Sequence, residues 1–371
     1  MPGGDVAKLQ HRFAEFAASY PELRLYSAVC RRVAEDPESA DLLTEAGPGQ
    51  DRPVLWLAAL HDLVLRDPGV PAARWYPSVV GRDRVPDGDP WPDVRRTVLD
   101  HEAELRAVIA TRSTQTNEVN RSVYLAPALA LATADQAERP VVLVEMGASA
   151  GLLLGVDRYR VELTGPPDLV LGDPASTVRC GGADRSPRRL ATRTPPPALP
   201  LVAARRGVDR YPVDLADETA VRWLEACLWP DVPGRVERFR SAVDQQSLDP
   251  PDVVKGDMVD DLARVADEVL GAAPSDAHLV AVSSWALTYV DRARRPEVAA
   301  TLAAVAREGR PVTWLTAEPP GCTPGVVAPA ERPEDRGQTT VLATRSWRGG
   351  PEQPPAVLGT AHPHGEWVAF E

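Results

Sequence analysis

The stretch VVLVEMGASAGLLLGVDRYR, residues 141–160, decides how the chain is interpreted. Its first four residues are apolar and, with Glu145, lie between Pro140 and a glycine turn, which predicts a short buried strand of a parallel sheet. The turn matches two patterns. Residues 147–151, GASAG, have the G-x-S-x-G form that exposes a nucleophilic serine at a strand-to-helix elbow. Glu145 and the glycines also match the outline of a nucleotide-binding strand, turn and helix.

The pattern differs on the two sides of this stretch. Residues 5–138 carry apolar residues at spacings of three and four, as in PVLWLAALHDLVLR at 53–66, which predicts an almost entirely helical region. A Pro/Gly/Asp-rich loop at 67–93 interrupts it. We therefore expect an all-helical N-terminal domain at 1–138 that acts as a lid or substrate platform. The second predicted domain covers 139–371.

Strand and helix patterns alternate in the second domain. Further strands are predicted at 253–255, 278–284, 311–318, 339–347 and 366–370, with helices at 220–229, 257–271 and 295–309. This alternation indicates an α/β fold with a mostly parallel sheet and helices on both faces. No helix separates the last two strands, which predicts an antiparallel edge strand. Residues 160–200 are rich in Pro, Gly and Arg and are expected to be an excursion from the sheet.

A nucleophilic Ser149 would need an oxyanion loop upstream and a histidine downstream. The upstream residues are predicted to be helical, without such a loop. His278 begins a strand and so lies at the wrong end of a parallel sheet, which leaves His362 and His364. A serine hydrolase stays an alternative.

The nucleotide interpretation uses residues that follow the strands. Small residues at Gly147, Ala148, Ser149 and Gly151 allow a ligand to approach a helix N-terminus closely. The stretch RRGVDRYPVD, residues 205–214, places Asp209 at the end of the expected second strand. A carboxylate there can accept hydrogen bonds from ribose hydroxyls. Asp157 and Asp173 are alternatives for this role.

The third and fourth strands end on further candidates. Asp257 follows the third strand, where a carboxylate can accept from an adenine amino group, and Met258 can cover the ring face. Ser283 and Ser284 end the fourth strand beside the expected transferred group.

These motifs, in this order, resemble the core of class I methyltransferases that bind S-adenosylmethionine, over roughly the last 230 residues. More narrowly, EMGASAGLLLGVDRYR, GDPAS, RGVDRYPVD, WLEACLWP, VVKGD, HPHGEW and TQTNEVNRS resemble the bacterial domain of unknown function 2332 family, over nearly the whole chain. The resemblance implies a Rossmann-like methyltransferase sheet with S-adenosylmethionine as cofactor. Methyltransferases usually have glycine at the position of Ser149, so the turn is expected to differ in shape.

The polar segment TRSTQTNEVNRS, residues 111–122, precedes the first strand and is either a solvated linker or a segment across the open end of the sheet. In the second case Arg121 holds a carboxylate and Gln115 contacts the substrate. Asn117 and Glu118 are then candidate catalytic residues.

Three later residues complete the candidate set. Glu318, after the fifth strand, is a candidate for the substrate pocket. His362 and His364 lie in a predicted hairpin tip on the cofactor side, and either is a candidate base, with His364 taken as the catalytic candidate. Tyr159 is a candidate substrate contact, although a packed ring explains it equally simply.

Bulk properties narrow the partner class. The net charge of −12 argues against nucleic acids and anionic membrane surfaces, so we expect a small-molecule substrate. The four cysteines are scattered, without metal-site spacing, so no metal is expected. No signal-peptide pattern and no long apolar run are seen, which predicts a cytoplasmic protein. The sequence does not indicate an oligomeric state.

The expected activity is transfer of a methyl group from S-adenosylmethionine to a small molecule. Three alternatives stay open: another displacement or cyclisation with the same cofactor, hydrolysis at Ser149, and a non-catalytic binding protein that keeps the fold.

Overall fold

A computed structural model describes residues 3–306 and 309–371. Contacts divide the chain into two compact units, Met1–Asn117 with Ala216–Arg240, and Glu118–Leu215 with Ser241–Glu371. The boundaries differ from the predicted division at 138/139. Residues 118–138 pack with the sheet, and residues 216–240, expected in the second domain, pack with the N-terminal helices.

Twelve α-helices occur in the described residues: α1 (Gly3–Ser19), α2 (Arg24–Val33), α3 (Pro37–Asp41), α4 (Pro53–Arg66), α5 (Pro77–Val80), α6 (Trp91–Asp100), α7 (Glu102–Thr111), α8 (Ser122–Thr133), α9 (Glu218–Ala226), α10 (Arg235–Ser247), α11 (Leu262–Gly271) and α12 (Arg295–Ala306). Within the part of the chain that the structure covers, no helix is long and apolar enough to cross a membrane.

The first unit is all-helical in its described part. Its core is built around α4, in which Pro53 fits the first helical turn and the residues behind it are almost all buried. Trp56 packs edge to face on Phe13 of α1, and Trp223 of α9 joins the same apolar cluster. The helical prediction for the N-terminal region is confirmed, with α9 as an addition.

The second unit is built on one sheet of eleven strands: β1 (Val141–Met146), β2 (Arg160–Thr164), β3 (Leu169–Gly172), β4 (Arg179–Asp184), β5 (Val202–Asp209), β6 (Val253–Lys255), β7 (His278–Ser284), β8 (Pro311–Glu318), β9 (Thr340–Arg348), β10 (Ala356–Ala361) and β11 (Trp367–Phe370). Their spatial order is β3-β2-β4-β11-β10-β9-β8-β7-β1-β5-β6.

Five neighbouring strands of this sheet, β6, β5, β1, β7 and β8, are all parallel. β1 and β8 are buried along their whole length, as expected for strands covered on both faces. One face packs on α11 and α12 through Val142, Val144 and Trp314. The other face packs on α8, which is apolar all round and nearly entirely buried. The prediction of a mostly parallel α/β sheet is confirmed.

Two predictions about this sheet were wrong. The stretch 160–200 is not a simple excursion, because it contains β2, β3 and β4, which extend the sheet beyond β11. The antiparallel strands β9 and β10 consequently lie inside the sheet, whose edges are β3 and β6.

The helix expected after the glycine turn is also missing. Leu152–Gly155 forms only a short 3-10 turn, after which the chain continues into β2. The turn therefore lacks the N-terminal dipole of a long helix.

Candidate functional site

Most of the predicted site residues lie at the carboxyl ends of the parallel strands. This end of the sheet, as distinct from its outer strands, is called the carboxyl edge, or simply the edge. β1, β5, β7 and β8 end at Met146, Asp209, Ser284 and Glu318. β10 also ends there, because β8 and β10 both pair antiparallel with β9. The loop 362–366 between β10 and β11 therefore joins the same edge, as predicted.

The glycine turn is tightly packed. Gly147 and Gly151 have φ of 73° and 70°, and Ser149 shares this left-handed region at 52°. A Cβ on Gly151 would lie 2.8 Å from Pro251 and Val253 side-chain atoms. A Cβ on Gly147 would lie 3.0 Å from the Cβ of Ala286 and 3.4 Å from the methyl of Met258. Small residues are required here by close packing of neighbouring chain.

The amides of the turn are bonded to the end of β5. Gly147 and Ala148 donate to the Val208 carbonyl at 2.9 and 3.2 Å, and the Ser149 amide donates to Oδ2 of Asp209 at 2.8 Å. Oδ1 of Asp209 accepts from the Tyr211 amide at 2.8 Å. Asp209 therefore fixes the turn, and each of its oxygens keeps one further acceptor site.

Asp257 is held in a similar way after β6. Its Oδ1 accepts from the Val259 amide at 2.8 Å, and its Oδ2 accepts from Nη2 of Arg210 at 2.5 Å. Burial opposes the charged form, but these bonds hold the pKa of Asp257 below its ordinary value.

The other acids and Tyr159 lie elsewhere. Asp157 forms a two-pronged ion pair with Arg205 at 2.7 and 3.1 Å, and Asp173 caps the Ala175 amide. Tyr159 is fully buried, where its hydroxyl donates to the Leu152 carbonyl and accepts from Gln246. Tyr159 thus has the role of a packed ring and not the predicted substrate contact, because its hydroxyl is enclosed in the interior.

Glu145 is the first of two buried acids at this edge. Its side chain is 5% exposed, and Oε2 has no hydrogen-bond partner among the described residues. It borders a cavity of about 10 Å³ whose other lining residues are all aliphatic. Burial, with a smaller contribution from the charge of Asp209, raises the pKa of Glu145 to about 8, against the opposing charge of Arg121.

Glu318 is the second buried acid. Its Oε1 accepts from the backbone amides of Ala286 and Leu287 at 3.1 and 3.2 Å. Its Oε2 has no hydrogen-bond partner among the described residues. Burial raises the pKa of Glu318 to about 7, against the lowering effect of these amides, Ser283 and Arg121. Ser283 itself accepts from the Trp314 indole at 3.3 Å.

Arg121 joins the segment before α8 to the edge. Its Nη1 donates to the Ser284 carbonyl at 3.0 Å, its Nε donates to the Pro363 carbonyl at 3.3 Å, and its guanidinium lies 6.0 Å from the Trp285 ring centre. The Tyr124 hydroxyl lies 3.0 Å from Oγ of Ser284. The prediction that this segment reaches the open end of the sheet is confirmed for residues 118–121.

Asn120 was not identified from the sequence, although its side chain makes several hydrogen bonds at this edge. Its Nδ2 lies within hydrogen-bond distance of the carbonyls of Gly181, His364 and Gly365, and its Oδ1 accepts from the Gly181 amide. Tyr124 and Trp285 were also missed. The spacing of Tyr124, three residues after Arg121 at the start of α8, was the available signal.

Glu118 and His364 lie side by side, with Oε2 of Glu118 3.7 Å from Nδ1 of His364. The candidates Gln115 and Asn117 belong to the other compact unit. Among the residues the structure covers, no three His, Cys, Asp or Glu side chains are grouped to hold a metal ion.

A family model for an uncharacterized protein conserved in bacteria, DUF2332, matches residues 10–370. The chain belongs to this family. No curated protein and no solved structure matches it.

Proposed function

We propose that this DUF2332 protein is an S-adenosylmethionine-dependent methyltransferase that acts on a small molecule. One observation carries the proposal. In chain order, the five parallel strands lie third, second, first, fourth and fifth, which is the doubly wound order with a ligand crevice at the switch point. The glycine turn follows the first of them, and Asp209 and Asp257 follow the second and third.

The polar groups near the turn suit the methionine end of this cofactor. That end carries an ammonium and a carboxylate group. Glu145 has an unbonded buried oxygen, and the buried Arg121 supplies positive charge nearby. We infer that the unbonded oxygen of Glu145 accepts a hydrogen bond from the ammonium group.

Three departures from an ordinary methyltransferase limit how the cofactor is held. The sheet has eleven strands, a 3-10 turn replaces the first helix, and the turn amides are bonded to β5. Recognition therefore rests on side chains rather than on a helix N-terminus. Asp209 retains acceptor sites for ribose hydroxyls, and we propose that Met258, which packs beside Gly147, covers the adenine ring.

The bound sulfonium would supply an already activated methyl group. The chain then has to align the acceptor with the methyl carbon and exclude water. Ser283 and Glu318, at the ends of β7 and β8, are the side chains proposed nearest the acceptor. The net charge of −12 favours a small-molecule acceptor over nucleic acid.

Isothermal titration calorimetry with S-adenosylmethionine and S-adenosylhomocysteine tests the proposal. We expect one site per chain, with binding weakened at least tenfold in Glu145→Gln and unchanged in Glu15→Gln, an exposed glutamate of the first unit. Failure of the folded wild-type protein to bind either compound would overturn the proposal.

Hydrolysis at Ser149 is the second candidate, because its φ of 52° resembles the strained elbow of a nucleophilic serine. Covalent labelling of the wild-type protein, but not of Ser149→Ala, by a fluorophosphonate would favour it. Binding of S-adenosylmethionine without any turnover would instead favour a non-catalytic protein. A sulfur-containing product that keeps the methyl group on sulfur, or a cyclised product, would favour another displacement.

A further inference from the structure

The loop between β10 and β11 holds His364 in a fixed position. Gly365 has φ of 74°, and a Cβ there would lie 2.1 Å from the Asn120 carbonyl oxygen. The side-chain Nδ2 of Asn120 donates to the His364 and Gly365 carbonyls. The His364 amide is 3.3 Å from Nδ1 of His362. The backbone that carries the imidazole is therefore anchored on several sides.

Glu118 is anchored by the same segment. Its Oε1 accepts from the Asn120 amide at 3.0 Å, which leaves Oε2 facing Nδ1 of His364 at 3.7 Å. The Glu118 side chain is 3% exposed, whereas that of His364 is 37% exposed. A buried carboxylate thus lies behind an imidazole that reaches solvent, which is the arrangement of a general base and the group that orients it.

The charges at this edge favour a cationic acceptor. Besides Glu118, the groups around the loop are Arg121, His362, Glu366, Arg185 and Asp335. With Glu118 included, the set holds three carboxylates and two permanent cations, an excess of one negative charge. An amine that arrives as an ammonium ion is attracted to such a site, but it has no lone pair until it loses a proton.

We propose that His364, oriented by Glu118, is the base that deprotonates an amine acceptor, so that the reaction is N-methylation. This inference rests on the proposed methyltransferase function. Nε2 of His364 takes one proton from the ammonium group while Nδ1–H faces Glu118. The freed nitrogen lone pair forms the bond to the methyl carbon as the carbon–sulfur bond breaks, and S-adenosylhomocysteine leaves. Asn120 is a positioning residue for both side chains.

The kinetic test uses methyl-labelled S-adenosylmethionine with a panel of primary amines, phenols, thiols and carboxylates. We expect amines to be the methylated class. His364→Gln should lower kcat by about 100-fold and Glu118→Gln by about tenfold, with little change in KM. The fall of kcat/KM on the acidic side should move to lower pH in Glu118→Gln. His11→Gln, at an exposed helix position, is the matched control and should behave as the wild type.

A second readout does not depend on turnover. In histidine NMR spectra, the ring protons of His364, assigned by their loss in His364→Gln, should titrate at lower pH in Glu118→Gln than in the wild type. Unchanged S-adenosylhomocysteine binding by both variants shows that they are folded.

Each contrary result has its own meaning. Wild-type protein that binds neither cofactor form overturns both proposals. Cofactor binding with full activity in His364→Gln, an unchanged His364 titration in Glu118→Gln, or methylation of phenols, thiols or carboxylates instead of amines overturns only the base and amine assignment.

Discussion

Asp209 and Asp257 contrast with Glu145 and Glu318, although all four acids lie at the same sheet edge. Both oxygens of each aspartate accept hydrogen bonds from residues close to the strand ends, so these carboxylates are satisfied within the fold. Each glutamate is buried, and its Oε2 has no hydrogen-bond partner among the described residues. Buried polar groups are normally bonded, so the difference separates two aspartates that fix the backbone of the edge, and still keep further acceptor sites, from two glutamates that each have an unbonded buried oxygen.

The largest effect that distinguishes the two pairs is on the pH dependence of stability. Glutamates raised from their ordinary pKa to about 8 and 7 stay protonated in the folded protein after the unfolded chain has ionised. The folded state then binds more protons than the unfolded chain. The contribution of these two glutamates to the free energy of unfolding is therefore full below about pH 4.5 and is lost as the pH rises to about 8. We expect a loss of a few kcal/mol, measured by urea unfolding between pH 5 and 8.5.

The double variant Glu145→Gln and Glu318→Gln sharpens this result. It should show a much flatter stability curve over the same range and exceed the wild type in stability at pH 8. Parallel curves for the two proteins would contradict the assignment of buried, protonated glutamates.

The next effect concerns Asp209. Asp209→Ala leaves the Ser149 and Tyr211 amides without their acceptor, and we expect a loss of about 2 kcal/mol in unfolding free energy at pH 7. Asp209→Asn keeps one acceptor oxygen and should lose about half as much. Equal stability of all three proteins would show that Asp209 does not fix the backbone of the edge, and would remove its contrast with Glu145 and Glu318.

The smallest effect concerns the ion pair between Arg210 and Asp257. Arg210 is 57% exposed, so Arg210→Gln should cost less than about 1 kcal/mol in unfolding free energy at low salt, and still less at high salt. The amides of Val259 and Asp260 continue to hold Asp257 in this variant. A loss as large as that of Asp209→Ala would show that the pair is part of the core of the edge.

Local pattern predicted much of the sheet. The apolar runs at 141–146 and 311–318 are buried on both faces, so composition alone marks them as strands. Residues 160–184 escaped prediction because their pairing is not local, with β4 lying beside β11 at the far end of the sequence.

The site was predictable to a similar degree. Glu118, Arg121, Glu145, Glu318 and His364 were identified because polar residues at strand ends and before a buried helix are unusual. Asn120 was missed because its importance lies in bonds to partners 61 and 245 residues away. The short 3-10 turn was missed because the apolar residues after Gly151 fit a helix equally well.

The most direct test of the account is a crystal structure of the protein grown with S-adenosylhomocysteine. We predict the ligand at the carboxyl edge, with the ribose at Asp209, the adenine beside Met258 and the aminocarboxyl end at Glu145 and Arg121. A ligand bound elsewhere, or an edge without ligand at saturating concentration, would contradict the central claim.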